Sequence, residues 1–218
     1  MNKKHFVITV ERQYGSGGRL TGKRLAEELG IHFYDEEILK MTSETSAIGE
    51  QYYRLADEKA GNNLLYRIVT GMKPDLGEPV RDGDNITSPE NLFRFQSSVI
   101  RKLAGQESCI IVGRCADKIL EETEGLISLF IYAPMEARVK EIMRRYETDE
   151  KEAEYLIKQA DKIRKNYYNF YAKKTWADKA SYDMLIDSSR ISEKELAAML
   201  RALLTARGVE LEIDGSDQ

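Results

Sequence analysis

The chain has 218 residues, 42% of them hydrophobic, enough for one domain with a substantial core and a smaller insertion but too few for two full domains. A well-mixed set of 33 basic and 37 acidic residues leaves a formal charge of −4, which argues against general affinity for nucleic acid polymers or anionic membranes and makes any basic site local. Cys109 and Cys115, with only His5 and His32 beside them, support neither a disulfide framework nor a zinc site, and the apolar run Phe6–Val10 is too short for an export signal or membrane span, so the expected location is the cytoplasm.

In chain order, Phe6–Val10 is the first predicted strand, a continuous apolar run of the length that suits a strand covered on both faces. It leads through Glu11-Arg12-Gln13-Tyr14 into Gly15-Ser16-Gly17-Gly18-Arg19, then into a helix that reaches Leu29 and is stopped by Gly30. A strand, a glycine turn and a helix in direct succession make an anion site. Free amides and the helix dipole converge at the helix N-terminus, and glycine lets the backbone approach phosphate oxygens. The residues Gly15–Gly18 also fit an ordinary glycine-rich turn. Read literally, Gly17, Gly22 and Lys23 satisfy G-x-x-x-x-G-K, with Arg24 where a metal-binding Ser or Thr belongs. Helical rotation of about 100° per residue argues against that register, because Gly18, Gly22, Leu25, Ala26 and Leu29 share one face and Lys23 and Glu27 the opposite one. Gly22 is then a close-packing residue and Lys23 a solvent-facing partner of Glu27.

Ile31–Tyr34 is the second predicted strand, and Asp35 follows it either as an N-cap for the helix containing Glu36, Ile38 and Leu39 or as a polar contact at the strand end. From Glu36 to Leu103 there are helical patterns but no strand. Met72–Glu90, rich in Gly, Pro, Asp and Asn, is the expected loop of this helical insert. The third strand, Cys109–Val112, exits into Gly113-Arg114-Cys115-Ala116-Asp117, where an arginine at a strand's carboxyl end suits an anionic ligand or an ion pair with a neighbouring acid. The fourth, Leu129–Tyr132, leads into a helix bearing Arg138, Arg144 and Arg145, which read as a solvated face. A charged helix from Asp149 to Lys174 and the aromatics Tyr167, Tyr168, Phe170, Tyr171 and Trp176, assigned to packing, precede the fifth strand, Met184–Ile186. Val209–Gln218 reads as a frayed acidic tail. The alternation predicts an α/β fold, a parallel five-stranded sheet between two helical layers with ligands at the carboxyl ends of the strands.

The run RQYGSGGRLTGKRLAEELG (Arg12–Gly30), followed by IHFYD, resembles the start of cytidylate kinase-like proteins, a branch of the nucleoside monophosphate kinases. Ile110–Asp117, Leu129–Pro134, Tyr182-Asp183 and Ile186–Ser189 extend the resemblance along nearly the whole chain. It implies a P-loop NTPase-like three-layer α/β/α domain over residues 1–208, with 36–103 as the acceptor-binding insert, 147–175 as a lid region and 209–218 as a tail. An ungapped overlay on the Gly-Ser-Gly-Lys-Gly-Thr loop of bacterial cytidylate kinases matches Gly15, Ser16 and Gly17, but puts Gly18 on the lysine, Arg19 on the last glycine and Leu20 on the threonine. That lysine normally bridges the transferring phosphates and that threonine holds magnesium. Arg19 or Arg12 is therefore expected to carry the charge, and magnesium to be held through phosphates and water with Asp117 or Asp35 as outer partners.

The activity the resemblance implies is ATP-dependent phosphoryl transfer to a nucleoside monophosphate, CMP or dCMP first. Gly15, Ser16, Gly17, Gly18 and Arg19 would cradle the donor, Asp35, Arg114 and Asp117 would meet the acceptor, and Arg164 would be the lid cation acting with Arg19 or Arg12 on the transferred group. Two other functions fit the same residues. One is a nucleotide-binding regulator that lost catalysis with the loop's Lys and Thr; the other is a kinase of a different small molecule, since fold and donor site do not identify the acceptor.

Overall fold

The structure, a computed structural model, describes residues 5–46 and 89–209. Strand β1 (Val7–Arg12) is central in a five-stranded, wholly parallel sheet with β2 (His32–Tyr34), β3 (Cys109–Val112), β4 (Leu126–Tyr132) and β5 (Met184–Asp187), in the order β2-β3-β1-β4-β5. Seven α-helices are described: α1 (Gly18–Leu29), α2 (Glu37–Ser46), α3 (Pro89–Gln106), α4 (Ala116–Ile119), α5 (Met135–Tyr146), α6 (Glu150–Ala172) and α7 (Glu193–Ala206).

The period of two along each strand divides the core into two layers. Ile8 and Val10 of β1, Ile110 and Val112 of β3, and Ile127, Leu129 and Ile131 of β4 face one way and bury Leu25, Ala26 and Leu29 of α1 with Leu196, Ala197, Leu200 and Leu204 of α7. Val7, Cys109 and Ile111 face the other way, onto Ile38 of α2, Val99, Ile100 and Leu103 of α3 and Ile119 of α4. A third cluster joins Phe130 of β4 to Tyr168, Ala172, Trp176 and Tyr182, so Tyr168 and Trp176 pack as expected, whereas Phe170 is exposed. Both cysteines are free and buried.

Several boundaries shift for local reasons. β1 runs on through Glu11 and Arg12 because these charged residues still pair with Phe130 and Ile131 of β4. β4 begins at Leu126, three residues before the predicted Leu129, because Ser128 is paired with Thr9 and its hydroxyl and amide both donate to Asp183 Oδ2, at 3.0 and 2.8 Å. α6 begins where the sequence indicates, its N-cap Asp149 accepting from the Glu152 amide at 2.8 Å. Val209, expected in the frayed tail, is buried and its amide donates to the Leu204 carbonyl at 3.0 Å. The loop expected over Met72–Glu90 lies outside the described residues except for Pro89 and Glu90, which open α3. Among the described residues no helix is long and apolar enough to cross a membrane.

Candidate functional site

The loop from β1 to α1 is shaped by two glycines in left-handed backbone, Gly15 (φ 77°) and Gly17 (φ 75°), the latter being the N-cap of α1. A side chain at Gly15 would meet the Arg138 carbonyl at 3.1 Å, whereas one at Gly17 would meet nothing within 4 Å, so this backbone faces open space. Ser16 turns inward. Its hydroxyl donates to the carbonyls of Gln13 (2.8 Å) and Ile131 (3.2 Å), and its own carbonyl accepts from the Ser188 hydroxyl at 2.7 Å. The first helical bond of α1 is Thr21 N–H to the Gly17 carbonyl, which leaves the amides of Gly18, Arg19 and Leu20 at the helix start without intrahelical acceptors. Gly18 is a glycine for another reason: a Cβ there would lie 2.6 Å from Arg12 Cβ and 3.0 Å from Ile131 Cβ. Gly22 packs on Phe33, Val112 and Val10, and Lys23 pairs with Glu27 at 3.9 Å with both side chains exposed.

Three of the predicted site arginines meet. Arg12 from the end of β1, Arg114 from the β3 exit and Arg164 from α6 line a cavity of about 150 Å³ together with Glu11, Ile163, Tyr167 and Tyr168. The β3 exit is built for this. Gly113, Arg114 and Cys115 are successively left-handed (φ 71°, 63° and 54°), an uncommon run for residues with side chains, and the Arg12 guanidinium lies where a Gly113 side chain would be. The Nε of Arg12 is buried without a hydrogen-bond partner. Arg164 donates from Nη1 to the Arg12 carbonyl at 3.0 Å and its guanidinium lies 5.4 Å from the centre of the Tyr14 ring. Its pKa is pushed down to about 10 by burial and then by the positive charge of Arg12, against the pull of Glu11 and Asp161. Three cations thus line one cleft, and one of them, Arg12, packs against Gly18 at the start of α1, an arrangement suited to a multiply charged anion.

The other predicted residues lie apart from this cavity. Arg19 donates from Nε to Asp35 Oδ2, an ion pair beyond the end of β2. Asp35 thus holds an arginine; it meets α2 through its carbonyl, which accepts from Ile38 N–H at 3.3 Å. Asp117 is 6% exposed and is not among the residues lining the cavity. Its Oδ2 accepts from the Tyr168 hydroxyl at 2.6 Å, and its carboxyl pKa rises to about 6 because burial, then the neighbouring Glu11 charge, disfavour ionisation.

Arg138, predicted on a solvated face, is instead buried, and its Nη1 contacts Asp161 Oδ2 at 2.6 Å and the Tyr14 carbonyl at 3.3 Å; Arg144 and Arg145 are exposed as expected. Position on α5 gives no sign of this, because the partners come from α6 and the glycine loop. Glu11 was missed as well, although a carboxylate closing an apolar strand was a visible signal. It is buried, lines the cavity and accepts from Trp176 Nε1 at 3.2 Å. Among the described residues no group of three or more His, Cys, Asp or Glu could hold a metal ion.

The chain is similar to known proteins over most of its length. A cytidylate kinase from Methanopyrus kandleri is 24% identical over 201 residues, covering 91% of this chain and 92% of that protein. One from Methanosarcina mazei is 27% identical over 205 residues, covering 91% and 96%. The solved structure of an uncharacterized protein from Eubacterium ventriosum superposes with a TM-score of 0.65 at 29% identity, covering 93% of this chain and 100% of that one. Shikimate kinase from Acinetobacter baumannii, at 14% identity, TM-score 0.50 and coverage of 95% and 97%, shares the fold. The model of the cytidylate kinase-like family matches residues 7–190, the span that holds the sheet, the glycine loop and all three converging arginines, and the chain belongs to that family.

Proposed function

We propose that this protein is an ATP-dependent nucleoside monophosphate kinase whose acceptor is CMP or dCMP. The observation that carries the proposal is that Arg12, Arg114 and Arg164, from three separate elements, line one cavity, with Arg12 packed against Gly18 of the glycine loop. Phosphoryl transfer asks little covalent chemistry of a protein and much positioning and charge neutralisation, which such a cluster supplies.

In this reading the amides from Gly17 to Arg19 cradle the donor phosphates, since the Ser16 amide donates to the Gln13 carbonyl at 3.4 Å; the role fits the open backbone at Gly17 and the N–H groups at the start of α1 that lack intrahelical acceptors. Arg114 holds the acceptor phosphate. Arg164 faces the transferred group, and Arg12, whose buried Nε has no protein partner, takes the charge that the loop lysine carries elsewhere in the superfamily. Arg12, which lines the cavity and pairs with the adjacent Glu11 only at 3.9 Å, fits that role better than Arg19, which is tightly engaged with Asp35 away from the cavity. Magnesium, when bound, neutralises charge on the nucleotide phosphates. Leu20 is an exposed hydrocarbon side chain, Asp35 is engaged by Arg19 and Asp117 by Tyr168, so the described residues offer no protein cage and the ion is held by phosphate and water oxygens.

The test is ADP release from magnesium ATP with a panel of nucleoside monophosphates, shikimate and sugars. CMP- or dCMP-dependent release is expected, with Arg114→Ala raising the acceptor KM and Arg164→Ala lowering kcat. Release with another acceptor alone would transfer the activity to that substrate. Leu20, where a metal-binding hydroxyl is usual, favours a second reading as a nucleotide-binding regulator; ATP binding without turnover on any acceptor would establish it.

A further inference from the structure

Tyr14, the last residue before the glycine loop, has its peptide groups gripped from two helices at once. Its N–H donates to Asp161 Oδ1 of α6 at 2.7 Å, and its carbonyl accepts from Arg138 Nη1 of α5 at 3.3 Å. The two grips are joined, because the same Arg138 nitrogen contacts Asp161 Oδ2 at 2.6 Å. Arg138 is 7% exposed at its side chain and Asp161 18%, so this is a sheltered pair with its polar atoms directed at the backbone. The Arg138 main chain sits against Gly15, where a side chain would approach its carbonyl at 3.1 Å. One turn beyond Asp161, Arg164 donates to the Arg12 carbonyl and covers the Tyr14 ring. Helix α6 therefore holds Arg12 and Tyr14 at the point where the chain leaves the sheet.

We infer that Asp161 is a positioning residue that joins the glycine loop to α6, so that a phosphate donor bound at the loop and the placement of Arg164 over the cavity are coupled. A rigid loop alone would need only its glycines and the Ser16 hydrogen bonds. The Asp161 carboxylate adds a bridge from the backbone entering the loop to the helix that carries a cavity arginine. When that bridge is intact, a shift of α6 must move Tyr14, and fixing the loop must fix α6. By reciprocity, a donor that orders α6 raises affinity for an acceptor in the cavity, and the acceptor raises affinity for the donor by the same factor. This coupling rests on the nucleotide-site reading above; the clamp itself does not.

Hydrogen exchange on the full chain tests both parts separately, comparing wild type with Asp161→Ala and Asp161→Asn, with and without magnesium ATP. Without nucleotide, Asp161→Ala is expected to speed exchange of the Tyr14 amide about tenfold or more, the loss of one charge-assisted hydrogen bond, while Val7–Val10 keep their rates. With ATP, exchange in wild type slows in the loop and in α6 together; in Asp161→Ala the slowing stays in the loop, and in Asp161→Asn, which keeps the Tyr14 contact but not the charge on Arg138, the slowing of α6 is weakened. Asp161→Asn preserves an acceptor for Tyr14 N–H and removes the charge facing Arg138, so it carries the nucleotide arm if the alanine variant does not fold. Unchanged Tyr14 exchange in Asp161→Ala, or α6 slowing as large in the variants as in wild type, would overturn the inference. A wild-type loop indifferent to ATP would count against the nucleotide site and the coupling, while the nucleotide-free arm would still decide the clamp.

Discussion

Arg12 is held in place by two residues that have no side chain. Gly18 packs against its Cβ and Gly113 against its guanidinium, and Gly113 also occupies a left-handed conformation. Gly113→Ala should therefore cost about 1–3 kcal/mol through overpacking and backbone strain and also displace Arg12, lowering turnover beyond the loss of stability. Urea unfolding and steady-state kinetics on the same variant check both effects. Lys23→Ala is the contrasting case: its Glu27 partner is exposed, so stability should stay within ~0.5 kcal/mol and the donor KM should not move. Asp117 makes stability depend on pH. Its carboxyl is raised from 3.8 to about 6, so the native state binds the proton more tightly than the unfolded chain, and this contribution is lost as pH climbs from about 4 through 6. Asp117→Asn keeps an acceptor for the Tyr168 hydroxyl and removes the charge. It should be more stable than wild type at pH 7.5, by at most about 3 kcal/mol, with the advantage shrinking at pH 4.5 in denaturant titrations.

Among the elements, α6 carries the most varied duties. Its N-terminal half packs Ala153 and Ile157 against Val139 and Ile142 of α5, its middle presents Asp161 and Arg164 to the loop, and its C-terminal end places Tyr168 and Ala172 in the aromatic cluster. The expected lid helix is thus fastened at three points along its length. Trp176, just past α6, completes the cluster by packing edge-on to Phe130 with ring centroids 5.3 Å apart, while its Nε1–H satisfies the buried Glu11 carboxylate. Trp176→Phe preserves much of the ring packing but leaves that carboxylate short of a donor, and a loss of about 1–3 kcal/mol is expected in urea unfolding. A smaller loss would mean that water reaches Glu11 through the cavity. The start of α6 was legible because Asp149 is a strong N-cap just before a helical run, whereas its inward face was obscured by the mixture of charge and tyrosine along it.

For the whole molecule, the parallel sheet brings sequence-distant cations together. Strand order β2-β3-β1-β4-β5 sets the β3 exit beside the β1 exit, and α6, after β4, returns across both, so Arg12, Arg114 and Arg164 share one cavity despite their distance along the chain. If these charges bind ATP, thermal or chemical unfolding should shift with nucleotide by ~2.7 kcal/mol at a hundredfold excess over Kd. The shift should shrink in Arg12→Ala. The five strands, the two covered faces, the glycine turn and the outward-facing Lys23 were determined by the sequence alone, because apolar run length, helical rotation and glycine are local signals. Tertiary structure decided which charges serve the site. It separated Arg19 with Asp35, buried Asp117 beneath Tyr168, turned Arg138 inward to the loop and put Arg12 against Gly113, since the partners of a charged side chain depend on distant segments meeting and no periodicity records them.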